Sequence, residues 1–207
     1  RQRQMCIRDS FICEESGRTG PEDAEFVWII DPLDGTSNFM RGIPHYCISM
    51  ACLRNGKLEH AIILDPVRQE EFTASRGRGA QLNGRRIRVS DRTDLKECLI
   101  GTGTPFLGQS EDRMDWYLKG LGEVAGNSMG IRRAGAAALD LAYVAAGRLD
   151  GFWEAGLKPW DLAAGTLLVR ESGGLVTDFK GSDNVLEGGD VICANPRLLK
   201  QLAAAIR

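Results

Sequence analysis

The feature that most limits how this chain can fold is an apolar run that stops at two acids. Phe26 to Ile30 (Phe-Val-Trp-Ile-Ile) is β-branched and aromatic, the composition of a short buried strand. It runs into Asp31-Pro32-Leu33-Asp34, then Gly35 and Thr36-Ser37-Asn38-Phe39. Carboxylates at the end of a buried strand repel one another unless cations neutralise them. Hard divalent ions would do so. Magnesium takes oxygen ligands and keeps waters and substrate phosphates in its shell. Pro32 fixes the backbone between the acids and leaves the Leu33 carbonyl free to face the same ion. A helix starting near Gly35 would turn free N–H groups, with the Thr36 and Ser37 hydroxyls, toward a phosphate. The competing reading is a turn with two solvated aspartates and a helix capped by Thr36 or Ser37.

The chain on either side of this stretch changes character near Asp91. Before it, short apolar runs alternate with turn signals. Residues 11–14 read as a strand ending at an acidic pair, and 16–25 as a loop. Tyr46 to Leu53 and Leu58 to Leu64 flank the hairpin signal Asn55-Gly56. Glu71 to Ser75 follows as a strand, Gly77 to Ala80 as a tight bend, and Ile87 to Ser90 as another strand after the Asn83-Gly84 turn. This half reads as antiparallel. After Asp91, strands and helices alternate. Strands are expected at Cys98–Thr102, Leu149–Glu154, Leu175–Asp178 and Val191–Ala194. Helices are expected at Asp112–Val124, Ala134–Ala146, Asp161–Ser172 and Pro196–Ile206. The expectation is one compact unit over 11–207, with a strand-rich lobe carrying the candidate metal ligands of 14–34 (11–90) and an α/β lobe (91–207).

Bulk properties narrow the function classes. A chain of 207 residues with 26% charged residues and net charge −2 is an ordinary globular composition, without the basic excess of a general nucleic-acid binder. No apolar run approaches the ~20 residues that span a membrane, and no signal-peptide pattern is present, so a cytoplasmic location is expected. The six cysteines show no CxxC spacing and mostly sit in apolar runs, which reads as buried free thiols in a reducing compartment. Residues 1–10 are polar and basic and run straight into a strand, so they are expected to be non-native or disordered, with a native N-terminal segment missing.

Other candidates are weaker alone. Glu14-Glu15 ends a strand, and one of the two could face the metals. Asp161, after Pro159-Trp160, reads as a helix N-cap that could also reach a cation. Glu154 ends a strand and could accept hydrogen bonds from a polyol, and Gly135-Ala136-Ala137 could bring backbone close to a ligand. His45 and His60 pair with no serine or cysteine, and no G-x-S-x-G elbow or G-x-x-x-x-G-K-[ST] loop occurs.

Taken together, three motifs are recognisable. Asp31 to Phe39 matches Asp-Pro-(Ile/Leu)-Asp-Gly-Thr-x-Asn-Phe; Glu14-Glu15-Ser16 precedes it; Trp160 to Gly165 with Glu171 to Gly174 match a second signature. In that order and spacing they resemble the inositol monophosphatase family, its bacterial branch above all, over nearly all of 11–207. The resemblance implies a layered αβαβα sugar-phosphatase sandwich and magnesium-dependent hydrolysis of a small phosphate monoester, foremost myo-inositol 1-phosphate. It implies two or three Mg2+ ions held by Glu14, Asp31, Asp34, Asp161 and the Leu33 carbonyl. Asp34, Gly35, Thr36, Ser37 and Asp161 would meet the phosphate side, and Gly135, Ala136, Ala137 and Glu154 the inositol. Glu14 and Thr36 would orient the attacking water. Lithium inhibition and a homodimer are implied as well. Sister activities on fructose 1,6-bisphosphate, histidinol phosphate or a 3′-phosphonucleotide remain open, as does a regulatory role with transcription antitermination and ribosomal RNA maturation partners. Two departures count against full activity: nothing upstream of Phe11 matches the family, leaving Thr36 without its usual aspartate partner, and Ala136 stands where relatives often have Ser or Thr.

Overall fold

The computed structural model describes residues 9–105 and 113–207. The expectations for residues 1–8, Cys6 among them, and for Asp112 lie outside the described residues.

Two sheets carry the chain. The first has eight strands in the order β2-β1-β3-β4-β5-β6-β7-β8. They are β1 (Ser10–Cys13), β2 (Gly17–Thr19), β3 (Phe26–Asp34), β4 (Cys47–Arg54), β5 (Lys57–Asp65), β6 (Glu70–Ser75), β7 (Gly79–Leu82) and β8 (Arg85–Arg86). Asn55 and Asn83 take positive φ beside Gly56 and Gly84, as their hairpin turns require. Every pairing is antiparallel except β1 with β3, which is parallel, with Phe11 opposite Trp28 and Cys13 opposite Ile30. The all-antiparallel expectation is corrected there. A parallel neighbour brings the C-terminal ends of β1 and β3 to the same edge, so Glu14 emerges beside Asp31. The sequence also missed β2, whose three exposed polar residues carry no apolar pattern. The expected bend at Gly77–Ala80 is a turn through Gly77 and Arg78, with Gly79 and Ala80 opening β7, and 87–90 is not a strand.

The second sheet is mixed, in the order β10-β9-β11-β13-β12. Its strands are β9 (Leu99–Thr102), β10 (Gly130–Arg132), β11 (Gly151–Glu154), β12 (Leu175–Thr177) and β13 (Val191–Ala194). The helices are α1 (Thr36–Met40), α2 (Met114–Asn127), α3 (Ala137–Ala145), α4 (Pro159–Glu171), α5 (Val185–Gly188) and α6 (Leu198–Ala205).

Helices α3 and α4 are nearly all apolar and small, so they bury every side: Ala138, Leu139, Leu141, Ala142, Ala164 and Leu168 are solvent-free. They lie side by side between the two sheets, and one cluster joins Ile29, Ala51, Ile63 and Phe72 of the first sheet to both helices and to Phe152 and Cys193 of the second. Gly165 permits the close approach, since a Cβ there would lie 2.4 Å from Leu141 Cβ. Helices α2 and α6 cover the far side of the second sheet through Tyr117, Val124, Trp153, Leu198 and Leu202. The layered α/β expectation holds as β-α-β-α among the described residues. The outer face of the first sheet carries half-buried Trp28, Ile30, Met50, Ile62 and Leu64 and exposed Ile48, and no described helix packs on it. Asp9 and Ser10, expected with the disordered start, are placed: Ser10 opens β1, and Asp9 accepts the Trp28 indole N–H at 3.3 Å. Cys13, Cys47, Cys52, Cys98 and Cys193 are all free thiols.

Candidate active site

The site forms where β1, β3, α3 and α4 converge. Strand β3 continues past its apolar run to Asp34, with a register shift against β4 between Asp31 and Asp34. That irregularity lets both acids sit at the strand end, and both are buried. Gly35 follows at φ 91°, a left-handed position where a Cβ would sit 3.0 Å from the His45 carbonyl oxygen. The chain then turns into α1. From the other side, Pro159 opens α4 and puts Asp161 in its first turn. Asp31, Asp34 and Asp161 thus bring carboxylate oxygens within 4.8 Å of one another.

Each acid has one oxygen tied to the backbone. Asp31 Oδ1 accepts the Leu33 N–H at 2.9 Å. Asp34 Oδ2 accepts the Ala138 N–H at 2.8 Å and the Cys47 thiol at 3.7 Å. Asp161 Oδ2 accepts the Lys158 N–H at 2.8 Å. The second oxygens of Asp34 and Asp161 have no hydrogen bond among the described residues, and Asp31 also meets the carboxyl of exposed Glu14. Burial raises all four acids, and mutual repulsion adds to it. Asp34 rises to about 8, with Asp161 and Asp31 as the repelling neighbours. Glu14 rises to about 7, burial first and Asp31 second. Asp161 rises to about 6, burial leading and the Lys158 N–H pulling back. Burial raises Asp31 as well, opposed by the Leu33 N–H. Such a cluster is stable when positive charge enters it, and an all-oxygen donor set with free carboxylate oxygens fits magnesium.

The cluster is one end of a cavity of about 390 Å3. Leu33, Gly35, Thr36 and Ser37 form the adjoining wall, with Gly135, Ala136, Ala137 and Glu154 opposite. The residues assigned to the metal, phosphate and inositol sides therefore line one space, while Glu15, His45 and His60 do not line it. Glu14 lines it without joining the tight triad. The Thr36 hydroxyl has a local partner, donating to the Leu33 carbonyl at 3.0 Å. Burial, with Asp140 and Asp34 nearby, drives Glu154 well above the usual carboxylate range.

A profile of the inositol monophosphatase family matches residues 2–207. The chain belongs to the inositol monophosphatase family. It is 59% identical over 186 residues to the "Nus factor SuhB" of Pseudomonas aeruginosa, a match covering 90% of this chain and 69% of that protein. The crystal structure of extragenic suppressor protein suhB from Bartonella henselae superimposes with a TM-score of 0.92 at 46% identity, over 97% of this chain and 76% of that one. The inositol monophosphatase of Anabaena (Nostoc) sp. PCC 7120 does so with a TM-score of 0.86 at 37% identity, over 96% and 78%.

Sequence reasoning missed several residues of this family site. Asn38 donates from Nδ2 to the carbonyls of His45 (2.8 Å), Ala134 (2.9 Å) and Gly135 (3.4 Å), pinning α1 to the opposite wall. Its place in the Gly-Thr-x-Asn-Phe motif was the available signal. Gly103, Arg133 and Lys158 also line the cavity. Gly103 makes room for Glu154, whose Oε1 would lie 1.7 Å from a Cβ there. No local pattern announces that contact, because it joins residues far apart in sequence.

Proposed function

We propose that this chain hydrolyses a small phosphate monoester, myo-inositol 1-phosphate foremost, to the free alcohol and inorganic phosphate. The observation that carries the reading is one cavity with three kinds of wall: a buried carboxylate cluster, a glycine turn bearing two hydroxyls, and a carboxylate facing them. Asp31, Asp34 and Asp161 would hold magnesium through their free oxygens, with Glu14 and the Leu33 carbonyl completing the set. When bound, magnesium supplies positive charge for the phosphate oxygens and lowers the pKa of water in its shell.

The chain's own residues do the positioning. Thr36, anchored by its bond to Leu33, keeps lone pairs that accept from the attacking water, and Glu14 accepts that water's proton. Ser37 and Gly35 contact the phosphate. Glu154, with Gly135, Ala136 and Ala137, receives polyol hydroxyls on the leaving side. The chemistry rests on orientation and charge rather than on a covalent nucleophile. Phosphate release from a panel of monoesters tests this. Inositol 1-phosphate should rank near the top with magnesium and lose turnover in Asp31→Asn; if it ranks among the poorest substrates, the named substrate falls.

A second reading has its own support, because the Pseudomonas relative carries the name Nus factor. In that reading the chain also binds transcription antitermination partners, as a homodimer. Capture of those partners that survives Asp31→Asn would separate binding from hydrolysis, and sedimentation reads the dimer.

A further inference from the structure

A second cavity, of about 770 Å3, opens behind α4, between the inner face of the first sheet and α5. It shares no lining residue with the site above. Its volume is that of a small-molecule pocket. The sheet side is apolar, with Ile12, Ile29, Leu53 and Leu58; Leu167 and Leu186 face them from the helices.

The polar groups around it are not equivalent. The acids at the rim are already engaged. Glu171 accepts the N–H groups of Gly77 and Gly79, each at 2.8 Å. Asp183 faces Arg170 at 3.5 Å, and Glu187 accepts Asn184 Nδ2 at 3.0 Å. Arg76 bonds the Leu58 carbonyl and faces Glu59 at 3.6 Å. Two cations are uncommitted to any carboxylate among the described residues. Among the described residues the Lys57 side chain has no partner, and the Arg18 side chain donates only to the Glu22 carbonyl at 3.1 Å. The inner wall holds a different vacancy of bonding. Thr166 is fully buried, and its Oγ1 has no hydrogen-bond partner. A helical threonine normally satisfies itself on the preceding turn, and a buried hydroxyl left unpaired is costly.

We propose that this cavity is a binding site for a small amphipathic carboxylate. The carboxylate meets Lys57 and Arg18 at the rim, an apolar body lies against Leu53, Leu58 and Leu167, and a polar atom at the far end reaches the Thr166 hydroxyl. Lys57 and Arg18 are the rim cations without a carboxylate partner among the described residues, and they are where an anion would be held. The apolar walls reject inorganic phosphate and free sugar phosphates, which selects against the substrates of the first site.

The probe is 3-(4-hydroxyphenyl)propionate, which has a phenol, a ring and a carboxylate in that order. Its binding is followed by calorimetry on the whole chain. Saturable binding is expected, weakened about tenfold by Lys57→Glu, the factor of one net ionic contact, and abolished by Leu186→Trp, which fills the cavity. Removing the phenol hydroxyl (3-phenylpropionate) should cost affinity in the native chain and none in Thr166→Val. Binding should persist in Asp34→Asn. The proposal is overturned by absence of saturable binding up to about 10 mM. Binding indifferent to Lys57→Glu and Leu186→Trp also overturns it, by assigning the probe to the outer sheet face around Trp28. Loss of binding in Asp34→Asn does the same, by assigning it to the carboxylate cluster.

Discussion

Asp34→Asn separates what the carboxylate does for function from what it costs the fold. In the metal-free protein burial, and then repulsion by Asp161 and Asp31, pushes the Asp34 carboxyl up from 3.8 to about 8. A carboxyl whose pKa is raised by folding binds its proton more tightly in the folded state. Its stability contribution is complete below the unfolded value and is lost as pH rises through the folded value. At pH 7 the difference spans about three units, or about 4 kcal/mol at 1.36 kcal/mol per unit. Water penetration and relaxation reduce this, so ~2–4 kcal/mol is the working figure. Asparagine keeps an acceptor for the Ala138 N–H and removes the ionisation. In EDTA at pH 7, Asp34→Asn should therefore melt above the native chain, by ~4–16 °C at 2–4 °C per kcal/mol. The gap should widen toward pH 8 and close near pH 4. Magnesium should raise the melting temperature of the native chain and leave that of the variant nearly unchanged, while the variant loses turnover. Calorimetry at three pH values, with and without magnesium, reads all of this. A variant less stable than the native chain in EDTA at pH 8 would refute the electrostatic account.

Asn38→Ala removes the hydrogen bonds from α1 to the His45 carbonyl and to the carbonyls of Ala134 and Gly135, and should cost about 2–3 kcal/mol, read by urea unfolding. Gly103→Ala places a Cβ where Glu154 Oε1 lies, so Glu154 must move. Turnover of inositol 1-phosphate should fall about tenfold in kcat/KM, while p-nitrophenyl phosphate, with no polyol to hold, should be hydrolysed as before. Gly165→Ala drives a methyl into Leu141 and should destabilise by about 1–3 kcal/mol, seen as a lower melting temperature with magnesium affinity preserved.

The elements read from sequence were those with enough length or contrast to show a period. The strands β3 to β6 and the helices α3 and α4 are long, apolar and bounded by glycine or proline. Strands β2 and β10 and helix α5 have three or four residues each and exist because a neighbour offers a ladder or a cap. Helix α3 begins at Ala137 rather than Ala134 because Gly135 takes φ 86°. In the site, the acids were legible because charge at the end of an apolar run is an anomaly. Gly103 and Cys47 were not, because what they do is set by partners that only the fold supplies, and Asn38 was marked by its motif alone. The parallel pairing of β1 with β3 was hidden for the same reason: hydrophobic runs specify a strand and leave its direction open.

Asp34 shows why the site cannot be divided between its two lobes. Its carboxylate belongs to β3, yet the N–H that holds Oδ2 comes from Ala138 on α3, the helix that follows the Gly135–Ala136 wall of the cavity. Asp161 comes from α4, packed along α3, and the Trp160 carbonyl beside it accepts the Ser49 hydroxyl of β4 at 3.2 Å. One hydrogen bond thus ties Asp34 to α3 and another ties β4 to α4, between residues 104 and 111 apart in sequence. A ligand that draws the three acids together pulls on β3 and on both central helices at once, while the close packing at Gly165 keeps those helices from sliding independently. Charge neutralisation at the cluster should therefore tighten the contact between the two sheets as well as the phosphate site. In hydrogen exchange, magnesium should protect the amides of α3 and β11, which carry no cation ligand, along with those of β3; protection confined to β3 and α4 would break this argument.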